Sequence, residues 1–141
     1  MDGDKGVEVS RLSPFELFAG LNETELTPIA ASCEELWVEA GTVVIRQGQV
    51  GDDVYLLESG SVKVFRERGE ELRQIALLEA PADFGEMAVV NPERIRTATV
   101  ETATEVRLLA ISVFQFRAFL KRLPALRRNL LASVKLRSKA D

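Results

Sequence analysis

A chain of 141 residues, 46% apolar and 28% charged, has the size and composition of one soluble domain with a real core. It carries a formal net charge of −4, a single cysteine and no histidine. Those counts exclude an internal disulfide, a His-ligated zinc or iron site, Ser-His and Cys-His nucleophile pairs and a four-thiolate iron–sulfur cluster; no metal and no enzymatic activity are expected.

The opening segment MDGDKGVEVS is acidic, with no apolar run behind a basic start, so it is not a secretory signal. Residues 1–12 are expected to form a flexible tail ahead of one domain over 13–141. No apolar run approaches the ~20 residues of a membrane span, so no membrane partner and a cytoplasmic location are expected. Ser13-Pro14 has the form of a helix start, Ser as N-cap and Pro at the first helical position, leading into FELFAGL. Asn22 with Glu25 resembles a capping box for a second helix reaching about Cys33, and Pro28 inside it implies a kink or a later start. Cys33 is expected as a buried structural thiol.

From Leu36 to Ile111 the texture changes. The short β-branched runs TVVI, VYLL, SVKVF, RQIALL, TATV and EVRLLAI alternate with turns at Gly41, Gly48, Gly51, Gly60 and Gly69. This pattern predicts a mainly β fold with flanking helices: an eight-stranded antiparallel β-roll, jelly-roll-like, over about 36–111. Helical periodicity returns over about 112–138. Ser112 and Gln115 form an S-x-x-Q capping box, Pro124 opens a last helix, and Leu126, Leu130 and Val134 lie four apart as an apolar stripe. Seven basic residues against one acid fall between Lys121 and Asp141. They interleave with leucines, and the favoured account is the preference of cations for a helix C-terminus rather than a nucleic-acid patch.

One segment breaks the strand texture: DFGEMAVVNPERIRTATV, from Asp83 to Val100. On a strand, Arg96 shares a face with Ala98 and Val100, which should look inward, while Thr97, Thr99 and Glu101 take the other face. An unpartnered buried cation is very costly, so either the alternation is misread or something anionic waits inside. FGEMA reads as a tight turn into one helical turn, with Glu86 ten residues before Arg96. A carboxylate accepts bonds from hydroxyls and a guanidinium fork takes two phosphate oxygens. The pair would suit a phosphate beside a sugar hydroxyl; alternatively, Glu86 and Arg96 simply pair with each other.

FGEMA, a short loop and RTATV resemble the phosphate-binding cassette of the cyclic-nucleotide-binding domain family, which includes catabolite activators, regulatory subunits of cyclic-nucleotide-dependent kinases and nucleotide-gated channels. The resemblance runs from about Leu17 to Val134 and takes in GQVGDDVYLLESGSVKV, which is similar to the family's glycine-spaced barrel strands. It implies that Glu86 accepts the ribose 2′-hydroxyl, that Arg96 neutralises the cyclic phosphate and that backbone N–H groups around Gly85, Met87 and Ala88 add donors. Thr97 would contact the phosphate or the base edge. Val64, Ile75 and Ala76 would form part of the apolar wall, with plain core packing the alternative for each. Arg137 or a neighbour would come near the base.

The chain departs from the family in having Pro81 and Ala82 where a glycine turn often precedes the cassette. Its VVNPERI loop has the length of the activator type, which makes Arg94 a rival anchor, but RTATV fits the motif at Arg96. Thr97 does not decide the base. Cyclic AMP is favoured as ligand over cyclic GMP. The implied function is a regulatory sensor module whose C-terminal helices shift on binding, with a homodimer through the last helix as a possible assembly. The alternative is the sensor domain of a catabolite-activator-type regulator cut before its DNA-binding domain. If the chain is complete at Asp141, no direct DNA binding by it is expected, since activator-type members append a helix-turn-helix after the long helix.

Overall fold

Eight strands form between Glu34 and Ser112: β1 Glu34–Val38, β2 Val43–Ile45, β3 Asp53–Ser59, β4 Ser61–Arg68, β5 Glu71–Glu79, β6 Ala82–Phe84, β7 Thr99–Thr102 and β8 Val106–Ser112. The computed structural model describes residues 5–140, with side chains as far as Lys135. All strand pairs are antiparallel, in two four-stranded sheets ordered β1-β8-β3-β6 and β2-β7-β4-β5. This is the mainly β roll with flanking helices that the strand pattern predicts.

Two cores flank the first sheet, which explains why its central strands read as nearly continuous apolar runs. Val54 and Leu56 of β3 and Leu109 and Ile111 of β8 point to one face, where they meet the helices. Leu57 of β3 and Val106 and Leu108 of β8 point to the other, where they meet Ile45, Val62 and Val100 of the second sheet. The period-two alternation of side chains sorts one strand's residues between two cores.

The helices close the first core. Helix α1 (Glu23–Ala31) starts where its capping box puts it: Asn22 Oδ1 accepts from the Glu25 N–H at 2.9 Å and Glu25 Oε1 accepts from the Asn22 N–H at 3.0 Å. It runs through Pro28, so the proline does not delay its start. The helix expected at Ser13-Pro14 is instead two short 3₁₀ turns, Val9–Arg11 and Glu16–Phe18. Ser13 Oγ donates back to Ser10 O at 2.9 Å and caps nothing. Leu12, Phe15 and Phe18, spaced by three, are all buried, and three residues per turn is the 3₁₀ period. Residues 5–12, grouped with a tail in the sequence reading, pack on the domain: Gly6 N–H donates to Cys33 O at 2.7 Å, Val7 N–H to Ala30 O at 3.0 Å, and Leu12 is fully buried.

At the other end, Ser112 Oγ accepts from the Gln115 N–H at 3.1 Å and starts α3 (Val113–Arg122), and Pro124 opens α4 (Pro124–Ala140). Leu126 and Leu130 are buried against the residues of the 3₁₀ segment, so the apolar stripe of α4 packs on its own chain. Asn129 fastens the helix there, donating to Leu17 O and Ala19 O at 2.9 Å each. Among the described residues no helix is long and apolar enough to cross a membrane.

Cys33 is fully buried, its Sγ 3.4 Å from Ile29 O. Burial pushes its thiol up to about 12, with the Glu58 carboxylate adding to the effect. An unfolded thiol ionises near ~8.5. Between those values the folded chain keeps a proton the unfolded chain has lost, so this group lowers stability as pH rises through that window. We expect Cys33 to resist a thiol-specific reagent in the native protein at about pH 9 and to react only at the rate of unfolding; rapid stoichiometric labelling would contradict its burial.

Candidate functional site

The second sheet leaves its inner face partly unfilled, and a cavity of about 440 Å³ opens there. Its walls come from β2, β4, β5 and the segment between β6 and β7. Gly85, Glu86, Met87, Ala88, Arg96, Thr97, Val64, Ile75 and Ala76, the nine residues singled out from the sequence, all line it.

The loop enters the cavity by a glycine. β6 ends at Phe84, Gly85 takes a φ of +81°, and Glu86 precedes the single turn α2 (Met87–Val90). Glycine adopts this left-handed conformation without steric cost. Glu86 is almost wholly buried on the cavity wall. The Val89 N–H donates to Glu86 O at 3.0 Å, whereas the Ala88 N–H makes only a long 3.4 Å bond to Gly85 O. The chain then turns at Asn91, whose Oδ1 accepts from the Glu93 N–H at 2.9 Å, and passes through Arg94 at a φ of 57°.

Arg96 itself precedes β7. Its backbone is strapped to the 48–51 loop: the Arg96 N–H donates to Gln49 O at 2.8 Å and Arg96 O accepts from the Gly48 N–H at 2.9 Å. The side chain, 7% exposed, points inward with Ala98 and Val100, as the alternation requires. Its Nη1 donates to Gly85 O at 3.0 Å and its Nη2 to Asp53 O at 2.8 Å. Both of these bonds go to backbone carbonyls, while the Glu86 carboxylate acts on the guanidinium electrostatically from the same cavity wall. Burial depresses the guanidinium's hold on its proton, and Tyr55, Asp53, Asp52 and Glu86 act in the opposite sense. An arginine stays protonated through such shifts. The result is a cation at the cavity wall, held by neutral carbonyls, with further N–H donors on its fork.

Space for that cation is made by Gly51. A Cβ there would lie 2.3 Å from Arg96 Nε and 2.4 Å from Cζ, and one on Gly85 would lie 2.9 Å from Nη1. Arg94, the rival anchor, turns away: its Nη1 donates to Asp52 Oδ1 at 2.9 Å and its guanidinium lies 5.0 Å from the centre of the Phe114 ring. It does not line the cavity.

Ile75 and Ala76 are adjacent, and strict alternation would send them to opposite faces. A bulge resolves this. Val64 pairs with Ala76 but Phe65 pairs with Gln74, leaving Ile75 without a cross-strand partner and both residues on the cavity. The sequence reading missed Arg66 and Arg68, which continue the inward face of β4 after Val62 and Val64 and also line the cavity. Arg66 Nε donates to Thr97 O at 3.2 Å, tying β4 to the residue after Arg96. It also missed Ile45, Leu78 and Phe84 on the apolar wall. Phe84 stacks on Tyr55 at 5.2 Å. The side chain of Arg137 lies outside the described residues.

A profile described as the cyclic nucleotide-binding domain matches residues 35–123, from β1 to the end of α3. The chain belongs to the cyclic nucleotide-binding domain family. A cGMP-dependent protein kinase of Caenorhabditis briggsae is 32% identical over 86% of this chain and 16% of its own length. Among solved structures, the catabolite activator protein of Thermus thermophilus superposes with a TM-score of 0.78 at 31% identity, covering 88% of this chain and 58% of that one. The regulatory domain of Toxoplasma gondii PKA, crystallised with cAMP, gives a TM-score of 0.72 at 27% identity over 79% of this chain and 42% of that one. The chain thus spans less than two thirds of the length of each. Domains of this kind occur in kinase regulatory subunits and in receptor-type regulators.

Because the Gly51 hydrogen occupies space that a methyl group would take from Arg96, Gly51→Ala should displace the guanidinium in this cyclic nucleotide-binding domain. We expect at least a tenfold loss of cyclic nucleotide affinity by calorimetry, with a melting temperature lowered by a few degrees at most; unchanged affinity would mean that Arg96 is not held where these contacts put it.

Proposed function

We propose that the cavity binds a cyclic nucleotide with its phosphate on Arg96, and that this chain is a regulatory sensor module. The observation that carries this reading is the Arg96 guanidinium: nearly buried, hydrogen-bonded among the described residues to the carbonyls of Gly85 and Asp53, and lining the cavity. An anion entering the cavity supplies the counter-charge that two carbonyl dipoles do not, and bidentate guanidinium–phosphate bonds are among the stronger polar contacts. Backbone N–H groups of Gly85, Met87 and Ala88 add donors at the same end. Glu86, acceptor-only when ionised, takes the ribose 2′-hydroxyl. Val64, Ile75 and Ala76 flank the sugar and base, and Thr97 reaches the phosphate or the base edge. A volume of about 440 Å³ lies within the usual range of small-molecule sites, roughly 300–1,000 Å³.

Cyclic AMP is the first ligand to test, since a similar regulatory domain was crystallised with it; cyclic GMP is the competitor, since another relative is a cGMP-dependent kinase. Binding draws the Gly85–Arg96 segment onto the ligand, and the C-terminal helices follow. Such a shift needs the ligand to contact the segment better in one arrangement than in the other. A homodimer through α4 would use the side bearing the exposed Leu131, because Leu126 and Leu130 are buried within the chain.

Calorimetry with both nucleotides tests the assignment. The wild-type protein should bind one of them, and Arg96→Ala should lose at least about 100-fold in affinity, the scale of two charge-assisted hydrogen bonds. Circular dichroism should show the β-roll retained, because the substitution removes a desolvated charge. Equal affinity in the two proteins would overturn the site; no binding by the wild type would overturn the function.

A further inference from the structure

Outside the cavity, one side chain grips the cassette from behind. A single helical turn such as α2 cannot satisfy its own carbonyls. Arg117, reaching over from α3, donates its Nε to Val89 O at 3.1 Å and its Nη2 to Ala88 O and Asn91 O, each at 3.2 Å. The guanidinium therefore closes the C-terminal end of the turn whose other end, through Glu86, Met87 and Ala88, faces the cavity. A cation at this end also opposes the negative pole of the turn's aligned carbonyls. Arg117 does not line the cavity and cannot touch a ligand there. Its own helix is seated firmly: Phe116 and Phe119 are buried in the first core and the Val113 N–H donates to Asp52 O at 2.8 Å.

We infer that Arg117 is a positioning residue for nucleotide binding and the polar link between the cassette and the C-terminal helices. It holds the turn at the height from which Glu86 and the backbone N–H groups reach the ligand. The same three bonds pass any displacement of the turn to α3, and by linkage whatever fixes α3 changes affinity at the cavity to the same extent. This inference rests on the cyclic nucleotide reading of the cavity for its functional meaning, while the clamp itself can be tested without any ligand.

The experiment compares wild type with Arg117→Ala, Arg117→Met, which keeps an apolar stem but no donor, and Arg117→Lys. Hydrogen–deuterium exchange of the ligand-free proteins should show faster exchange over residues 85–91 in the Ala and Met variants, with β3 and β8 unchanged. Calorimetry with cyclic AMP and cyclic GMP should show about tenfold weaker binding in those two variants and partial recovery in Lys, the scale of a single charge-assisted bond, because Arg117 acts on the ligand only through the turn. With saturating nucleotide, exchange in α3 should change in wild type, and in the Ala and Met variants the change should stop at the cassette. Wild-type exchange over 85–91 in both variants would overturn the clamp, as would protection lost across the whole barrel in both. Unaltered affinity would overturn the positioning role. If the wild type binds neither nucleotide, the reading of the cavity fails, and the ligand-free exchange still decides whether Arg117 holds the turn.

Discussion

Keeping one guanidinium almost out of solvent, with backbone carbonyls as its acceptors, is the constraint to which the rest of this domain is fitted. An ionised group loses several kcal/mol of hydration on burial, and two hydrogen bonds to neutral carbonyls restore only about 3–6 kcal/mol of that. The remainder is met by over-determination of the surroundings. The Arg96 backbone is bonded on both sides to the 48–51 loop, Gly51 leaves a gap for Nε and Cζ, and Gly85 turns its carbonyl onto Nη1. A site that holds its cation in place before the ligand arrives loses little entropy when it binds. The folded core bears the electrostatic cost, which an anion in the cavity would offset.

The two sheets divide the work accordingly. The first, β1-β8-β3-β6, has its central strands β8 and β3 buried on both faces and carries most of the fully buried leucines and valines, so it can serve as a rigid floor. The second, β2-β7-β4-β5, is less completely packed, and Val64, Ile75 and Leu78 remain half-buried because a cavity rather than a core lies beneath them. Apolar surface left facing a cavity forgoes roughly 25 cal/mol per Å² of burial until a ligand covers it. The bulge at Ile75 belongs to the same economy, adding one more apolar side chain to the wall than an unbroken strand could present.

Legibility in the sequence follows from how local each cause is. Asn22 with Glu25, Ser112 with Gln115 and Pro124 are signals spanning four residues or fewer, and each opens a helix where it stands. The inward register of Arg96 was legible because Ala98 and Val100 share its face. Arg66 and Arg68 were equally legible by the same rule, two and four residues after Val64, but two charges at the end of SVKVFRER look like the solvent-bound tip of a hairpin. Ser13-Pro14 misled for a different reason. Its cap chemistry is sound, but burial of Leu12, Phe15 and Phe18 at intervals of three rewards a 3₁₀ path over an α-helix, and that reward depends on α4 lying alongside. What sequence could not show was long-range: that Gly51 is a glycine for the sake of a side chain 45 positions away, and that Arg117 serves a turn 26 to 29 positions before it.

Arg94 and Arg96 show how backbone geometry outranks side-chain chemistry here. Two residues apart, they carry the same fork, and a uniform strand would aim both at the cavity. The left-handed φ of Arg94 breaks that uniformity, sending its guanidinium outward to Asp52 and over the exposed ring of Phe114, the second residue of α3. Arg117, farther along the same helix, holds α2. The segment from Gly85 to Arg96 is therefore tied to α3 at two places, once by a side chain going each way, while its inner side faces the cavity. Any displacement of this segment would therefore have to carry α3 with it or break the three bonds of Arg117 and the ring contact of Arg94.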